Sequence, residues 1–226
     1  MPREQFDQAL QDLQDNLVFM GSMVSQAIRE AVKALLAGDK DAAIDIISGD
    51  AAINARRFKL EDACLTLIAT QQPMARDMRL LAGLLEISGE LERMGDYAKG
   101  IGRITIYMNG AKPPFPVQHI PQMADIGLDM LSQALEAFLQ RDVEAALRIP
   151  QRDDEVDALY NQLSRELLEI LLEQPEKMEC ANYLFWAAHN LERFADRVTN
   201  ICERTVYTVT GEFHEMDVDE FGLSGV

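Results

Sequence analysis

The chain is a tandem repeat, and no other feature bounds its architecture as tightly. Residues 31–43, AVKALLAGDKDAA, align with residues 134–146, ALEAFLQRDVEAA. Asp39 matches Asp142, 103 positions on, and the offset persists through Asp50 and Asp153, Ile53 and Val156, and Leu60 and Leu163. Further along, Leu91-Glu92-Arg93 matches Leu191-Glu192-Arg193 and Asp96 matches Asp196, now 100 apart. About one helical turn is therefore lost between the two stretches. Repeats of this length imply two copies of one supersecondary unit.

Each copy reads as three long helices. The first spans residues 5–37 and stops at Gly38, a residue favoured just past a helix C-terminus. Asp39 is placed to cap the second, which continues to Thr70. Pro73 opens the third at or near its first residue, and that helix runs to Met108. Residues 109–116, NGAKPPFP, cannot be helical and must connect the copies. The second copy repeats the scheme over 117–140, 142–173 and 175–210, with Gly211 as its stop. The predicted organisation is a first bundle over 1–109, a linker over 110–116, a second bundle over 117–211 and an acidic tail over 212–226.

The third helix of each copy shows a core seam. Leu84, Leu91, Ala98 and Thr105 are seven apart, as are Ile87, Met94, Ile101 and Met108. In the second copy the same lattice holds Leu184, Leu191, Val198 and Thr205 beside Ala187, Phe194, Ile201 and Thr208. Alternating steps of three and four mark the buried stripe of a bundle helix. Helices of this length joined by tight turns must pack antiparallel. Aromatics at 7%, with 13 Gly and 8 Pro, are too few for an all-β chain. The fold class is thus all-α, six long antiparallel helices in two tandem three-helix bundles.

Charge narrows the partners. With 38 acidic against 21 basic residues, the net charge is −17, which excludes nucleic acid as the main partner and disfavours a lipid surface. No apolar run approaches a membrane span and the N-terminus has no signal-peptide core, so any membrane association is indirect. Three cysteines without paired spacing argue against disulfides or zinc and for small buried side chains in a reducing cytoplasm.

Against this background the paired carboxylates stand out. Glu92 and Asp96, and Glu192 and Asp196, are four apart on the third helices, off the core seam. The second helices carry Asp50 with Asn54 and Asp153 with Asp157, also four apart. Like charges at this spacing destabilise a helix by a few tenths of a kcal/mol each, so equivalent pairs in both copies point to a compensating cation. Two neighbouring helices each giving two oxygen ligands make a cage suited to hard or borderline ions. Asn200, four beyond Asp196, can add a carbonyl; its counterpart is Gly100. With Asn54 in place of an acid, the first copy is the poorer site. Both sites should face solvent. Arg93 and Arg193 read as ion-pair partners of neighbouring helices, and His189 as a surface or packing histidine. A structural bundle whose acids bind nothing is the competing reading.

No Glu-x-x-His pair precedes His119, His189 or His214, so the reading as a di-iron oxidase is weak. No Gly-rich phosphate loop or nucleophile constellation is present, and no catalytic residue is expected.

The segments Glu90-Leu91-Glu92-Arg93-Met94-Gly95-Asp96 and Asn190-Leu191-Glu192-Arg193-Phe194-Ala195-Asp196-Arg197 resemble the paired signatures of the PhoU family of phosphate-uptake regulators. Gln72-Pro73-Met74-Ala75-Arg76-Asp77-Met78-Arg79 and Asn200-Ile201-Cys202-Glu203 extend the likeness to nearly the whole chain. The resemblance implies two three-helix bundles whose acidic motifs hold multinuclear iron or zinc. It places that potential on Asp50, Glu92, Asp96, Asp153, Asp157, Glu192 and Asp196. It further implies a cytoplasmic homodimer that catalyses nothing. Such a protein represses the phosphate-starvation response through a sensor histidine kinase and the ATPase subunit of the phosphate transporter. A metal-storing or structural carboxylate-rich bundle is the alternative.

Overall fold

A computed structural model describes residues 3–115 and 117–216. Pro116 of the predicted linker and residues 217–226 of the predicted tail lie outside the described residues. Among these residues seven α-helices follow one another: α1 (Arg3–Ala37), α2 (Lys40–Gln71), α3 (Ala75–Tyr107), α4 (His119–Gln140), α5 (Val143–Arg148), α6 (Asp153–Glu173) and α7 (Met178–Thr210). Among the described residues there is no strand.

Seven arise where six were expected because one long helix is broken. The stretch expected to be continuous over 142–173 divides into α5, a 3-10 turn at Ile149–Arg152, and α6. Pro150 sits in that turn. It has no N–H to donate, and its ring clashes with the carbonyl four residues before, so an α-helix cannot pass through it unbroken. Pro73 also differs from expectation: it lies outside α3, whose N-cap position is held by Met74. Pro175 instead opens a 3-10 turn at Pro175–Lys177 that leads into α7.

The turns ending the first helix of each copy are built alike. Gly38 adopts φ +68° and Arg141 φ +58°. Behind them the Asp39 N–H reaches the Ala34 carbonyl and the Asp142 N–H the Ala137 carbonyl, both at 2.9 Å. Each aspartate then caps the following helix. Asp39 Oδ1 accepts from the Asp41 and Ala42 amides, and Asp142 Oδ1 from the Ala145 amide. Glycine takes the left-handed conformation without strain, whereas a side chain there costs about 1–2 kcal/mol. The second copy accepts that cost at Arg141.

All sixteen seam residues named above are buried. Thr105 and Thr205, seam counterparts, satisfy their hydroxyls on the Ile101 and Ile201 carbonyls of their own helices. Cys64 and Cys202 are buried, and burial pushes both thiols up to about 12; Cys180 is only half-buried.

The two copies share one continuous hydrophobic cluster. Helix α2 packs on α1 and α3 on one flank, α6 packs on α4 and α7 on the other, and α1 meets α4. Between them α3 and α7 run antiparallel as a central pair. The pair is pseudo-symmetric. Asn200 Nδ2 donates to Glu90 Oε2 at 3.2 Å. Moving each partner by 100 positions gives Gly100 and Asn190, and these also touch: a Cβ on Gly100 would lie 2.7 Å from Asn190 Oδ1. A side chain at position 100 would have to push the Asn190 amide aside.

Candidate metal-binding carboxylate sites

In the first copy α2 and α3 bring Asp50, Asn54 and Asp96 to one cluster with an ammonium among its oxygens, while Asp50 Oδ1 is buried without a hydrogen-bond partner. Asp50 is only 5% exposed, contrary to the expected solvent-facing site. Its position follows from Ile53 and Gly95: Ile53 is core, and Gly95 lets α2 approach α3 so closely that a Cβ there would lie 3.7 Å from Asp50 Oδ1. Asp50 Oδ2 accepts from Lys99 Nζ at 2.6 Å and from Asn54 Nδ2 at 3.1 Å. Lys99 Nζ also lies 3.6 Å from Asp96 Oδ1. Hydrogen bonding to Asp50, ahead of other causes, holds the Lys99 pKa above its ordinary value. Glu92 sits half-exposed on α3, three residues before Gly95.

The second copy concentrates negative charge instead. Burial, then the neighbouring charge of Asp196 and, more weakly, Asp157, raises the Glu192 pKa; His189 and Arg193 oppose the shift. Glu192, Asp196 and Asp157 therefore act on one another across α6 and α7. Asp153 opens α6 at the break made by Pro150, half-buried. Thr199, the counterpart of Lys99, is 2% exposed, and its hydroxyl has no hydrogen-bond partner.

Other expected residues have different partners. Asn200 is drawn to Glu90 on α3, which also takes Arg197 Nη1 at 3.4 Å. Arg93 and Arg193 pair within their own helix, with Glu90 at 3.3 Å and Asp196 at 3.1 Å, and not with neighbouring helices. His189 Nδ1 lies 2.9 Å from Glu192 Oε2. His119, for which sequence reasoning offers no role, is buried at the start of α4 and ties it to Glu166 of α6 at 3.1 Å. Spacing does not single out Lys99, because its meaning depends on which carboxylate packs against it. The one available signal was the Lys99 and Thr199 mismatch between repeats.

Glu192, Asp196 and Asp157 of the second copy are oxygen donors of the kind a hard or borderline cation takes, with no lysine placed among them in the described residues. Among the described residues no three His, Cys, Asp or Glu side chains already converge on one point. The first copy does not fit, because an ammonium stands among its oxygens.

The PhoU domain matches the chain twice, over residues 17–105 and 120–205, covering both copies. The chain belongs to the PhoU family. It is 33% identical over 215 residues to the phosphate-specific transport system accessory protein PhoU homolog of Streptococcus pneumoniae, covering 95% of this chain and all of that one. It is 32% identical over 223 residues to the phosphate-specific transport system accessory protein PhoU of Escherichia coli, covering 96% and 90%. The crystal structure of the phosphate transport system regulatory protein PhoU from Streptococcus pneumoniae superposes with a TM-score of 0.85 at 32% identity, covering 92% of this chain and 99% of that one. The PhoU family thus accounts for the fold and for both repeats.

Proposed function

We propose that the chain is a regulatory accessory protein of a phosphate-specific transport system, holding the phosphate-starvation response off when phosphate is plentiful. The observation that carries this reading is the pair of PhoU domains that together span most of the chain. The named relatives serve phosphate-specific transport, and one solved neighbour is described as its regulator.

The protein acts by contact and not by catalysis. Its partners are a sensor histidine kinase and the ATPase subunit of the phosphate transporter, which it meets as a homodimer in the cytoplasm. A net charge of −17 suits an adaptor that recognises basic protein surfaces and keeps off nucleic acid. Among the described residues no helix is long and apolar enough to cross a membrane. Attachment to the membrane runs through partners. The carboxylates of the second copy bind iron or zinc, and the metal serves the surface of the bundle and not its folding.

Deleting the gene should leave phosphate-starvation genes expressed in high phosphate, as a transcriptional reporter would show. A reporter that stays silent in the deletion strain would end this reading. A pull-down with the kinase and the ATPase subunit tests the partners separately.

A further inference from the structure

We infer that Lys99 is a fixed counter-cation that closes the carboxylate site of the first repeat to metal, leaving metal capacity to the second repeat alone. The inference rests on the metal reading proposed above and adds the residue that decides which repeat can use it.

Three observations converge. First, the Lys99 ammonium bridges the two helices that would share an ion, 2.6 Å from Asp50 Oδ2 on α2 and 3.6 Å from Asp96 Oδ1 on α3. A multivalent cation joining these carboxylates would have to stand where Nζ stands. Second, Asn54 turns its amide N–H toward Asp50, at 3.1 Å, so it donates where a ligand would have to accept. Arg103, one turn beyond Lys99, stands close enough for its positive charge to act on it, and its counterpart is Glu203. Third, the second repeat has the neutral Thr199 in place of Lys99. That hydroxyl is 2% exposed and unpartnered. The two repeats have solved the same electrostatic problem differently. In the first, a buried aspartate is neutralised by a covalently attached cation. In the second, Thr199 supplies no charge at that position, and Arg193 and His189 of the same helix stand against Asp196 and Glu192. A charge on the chain is present at every concentration of metal, so the first repeat needs no ion to hold α2 against α3.

The test uses zinc alone as probe, titrated calorimetrically into the full chain after chelator treatment. The parent, Asp50→Asn, Lys99→Thr and Asp196→Ala are compared. Asp50→Asn should leave bound zinc per chain unchanged. Lys99→Thr should raise it, roughly doubling the parent's value. In chelator, Lys99→Thr should melt lower than the parent by about 3–8 °C, because a buried carboxylate loses its partner, and zinc should restore the difference. Loss of zinc in Asp50→Asn would overturn the inference, since the first repeat would then be binding metal in the presence of Lys99. So would a Lys99→Thr variant that is helical yet binds no more zinc than the parent. If the parent binds none while Lys99→Thr binds one equivalent, the inference stands and the second-repeat metal reading fails.

Discussion

Arg197 on α7 donates from Nε to the phenol oxygen of Tyr97 on α3 at 3.3 Å, and the two residues occupy the same position of their repeats. A contact between counterparts is possible only near an axis that exchanges the copies. Arg197 lies close to that axis, is 16% exposed, and also reaches Glu90. The central helix pair is thereby clamped by a polar group at its middle. Tyr97→Phe should cost about 0.5–1.5 kcal/mol and Arg197→Met about 1–3 kcal/mol, the larger loss because a charged donor leaves two partners. Chemical denaturation of the two variants checks the order; equal midpoints would contradict it.

The seam predicts a larger loss. Phe194 is fully buried, its ring against the backbone of α4, where a Cβ on Gly127 would come within 2.9 Å. Truncation leaves a cavity that a helix held at both ends cannot collapse. Phe194→Ala should lower unfolding free energy by about 3–5 kcal/mol while the chain stays helical. A loss under 1 kcal/mol, measured by urea titration, would mean that α7 is not packed as described.

Two glycines should respond with opposite sign. Gly49 is exposed inside α2, and a Cβ there meets nothing within 4 Å. Gly49→Ala should therefore stabilise by about 0.5–1 kcal/mol through helix propensity. Gly100→Ala offers the same gain but drives a methyl to 2.7 Å from Asn190 Oδ1, whose amide is held by the Trp186 carbonyl. Overpacking costs about 1–3 kcal/mol, so it should destabilise on balance. Melting temperatures moving in the same direction for both would refute the close α3–α7 approach.

Acid sensitivity should trace to His119 and Glu166. Hydrogen bonding to His119, and next to Gln162, holds the Glu166 carboxyl below the usual carboxylate range. The unfolded chain takes up that proton near pH 4.3, before the native one does. Between the two values the unfolded state binds more protons, so this stabilisation is present above about pH 4.3 and is lost as pH falls through the native value. The stability gap between parent and His119→Gln should thus narrow between about pH 5 and pH 3. A gap that stays constant over that range would show that the pair contributes nothing electrostatic.

Metal content should depend on one repeat. After identical loading with iron or zinc, Asp196→Ala should carry less metal than Asp96→Ala, with little change in helicity. Equal content by elemental analysis would remove the asymmetry between repeats.

The helices were legible because their determinants are local. The three-four alternation along α3 and α7, Gly38 in the left-handed turn and the Asp39 cap each act within a few residues. Pro150 carries a local signal too, since a proline inside a helical pattern predicts the break. Arg141 in a left-handed turn was not legible. Its conformation is imposed by the turn it shares with Gly38, and nothing in the residue itself favours it. The acids of the site could be found by spacing, whereas their partners could not. Whether Asp50 meets a lysine, or Asn200 a carboxylate of its own site or Glu90, depends on which faces of two distant helices meet. Periodicity assigns a residue to a stripe, and packing decides what lies across from it.

The pseudo-twofold relation of α3 and α7 has a consequence for what a duplicated protein can become. Two identical chains paired about a true dyad carry the same side chain at both equivalent positions, so any substitution is made twice. Once the halves are joined in one polypeptide, that obligation ends. Position 99 can become lysine while position 199 stays threonine, and position 100 can become glycine while position 200 keeps an amide. Fusion thus preserves the geometry of a symmetric pair while giving each half its own chemistry.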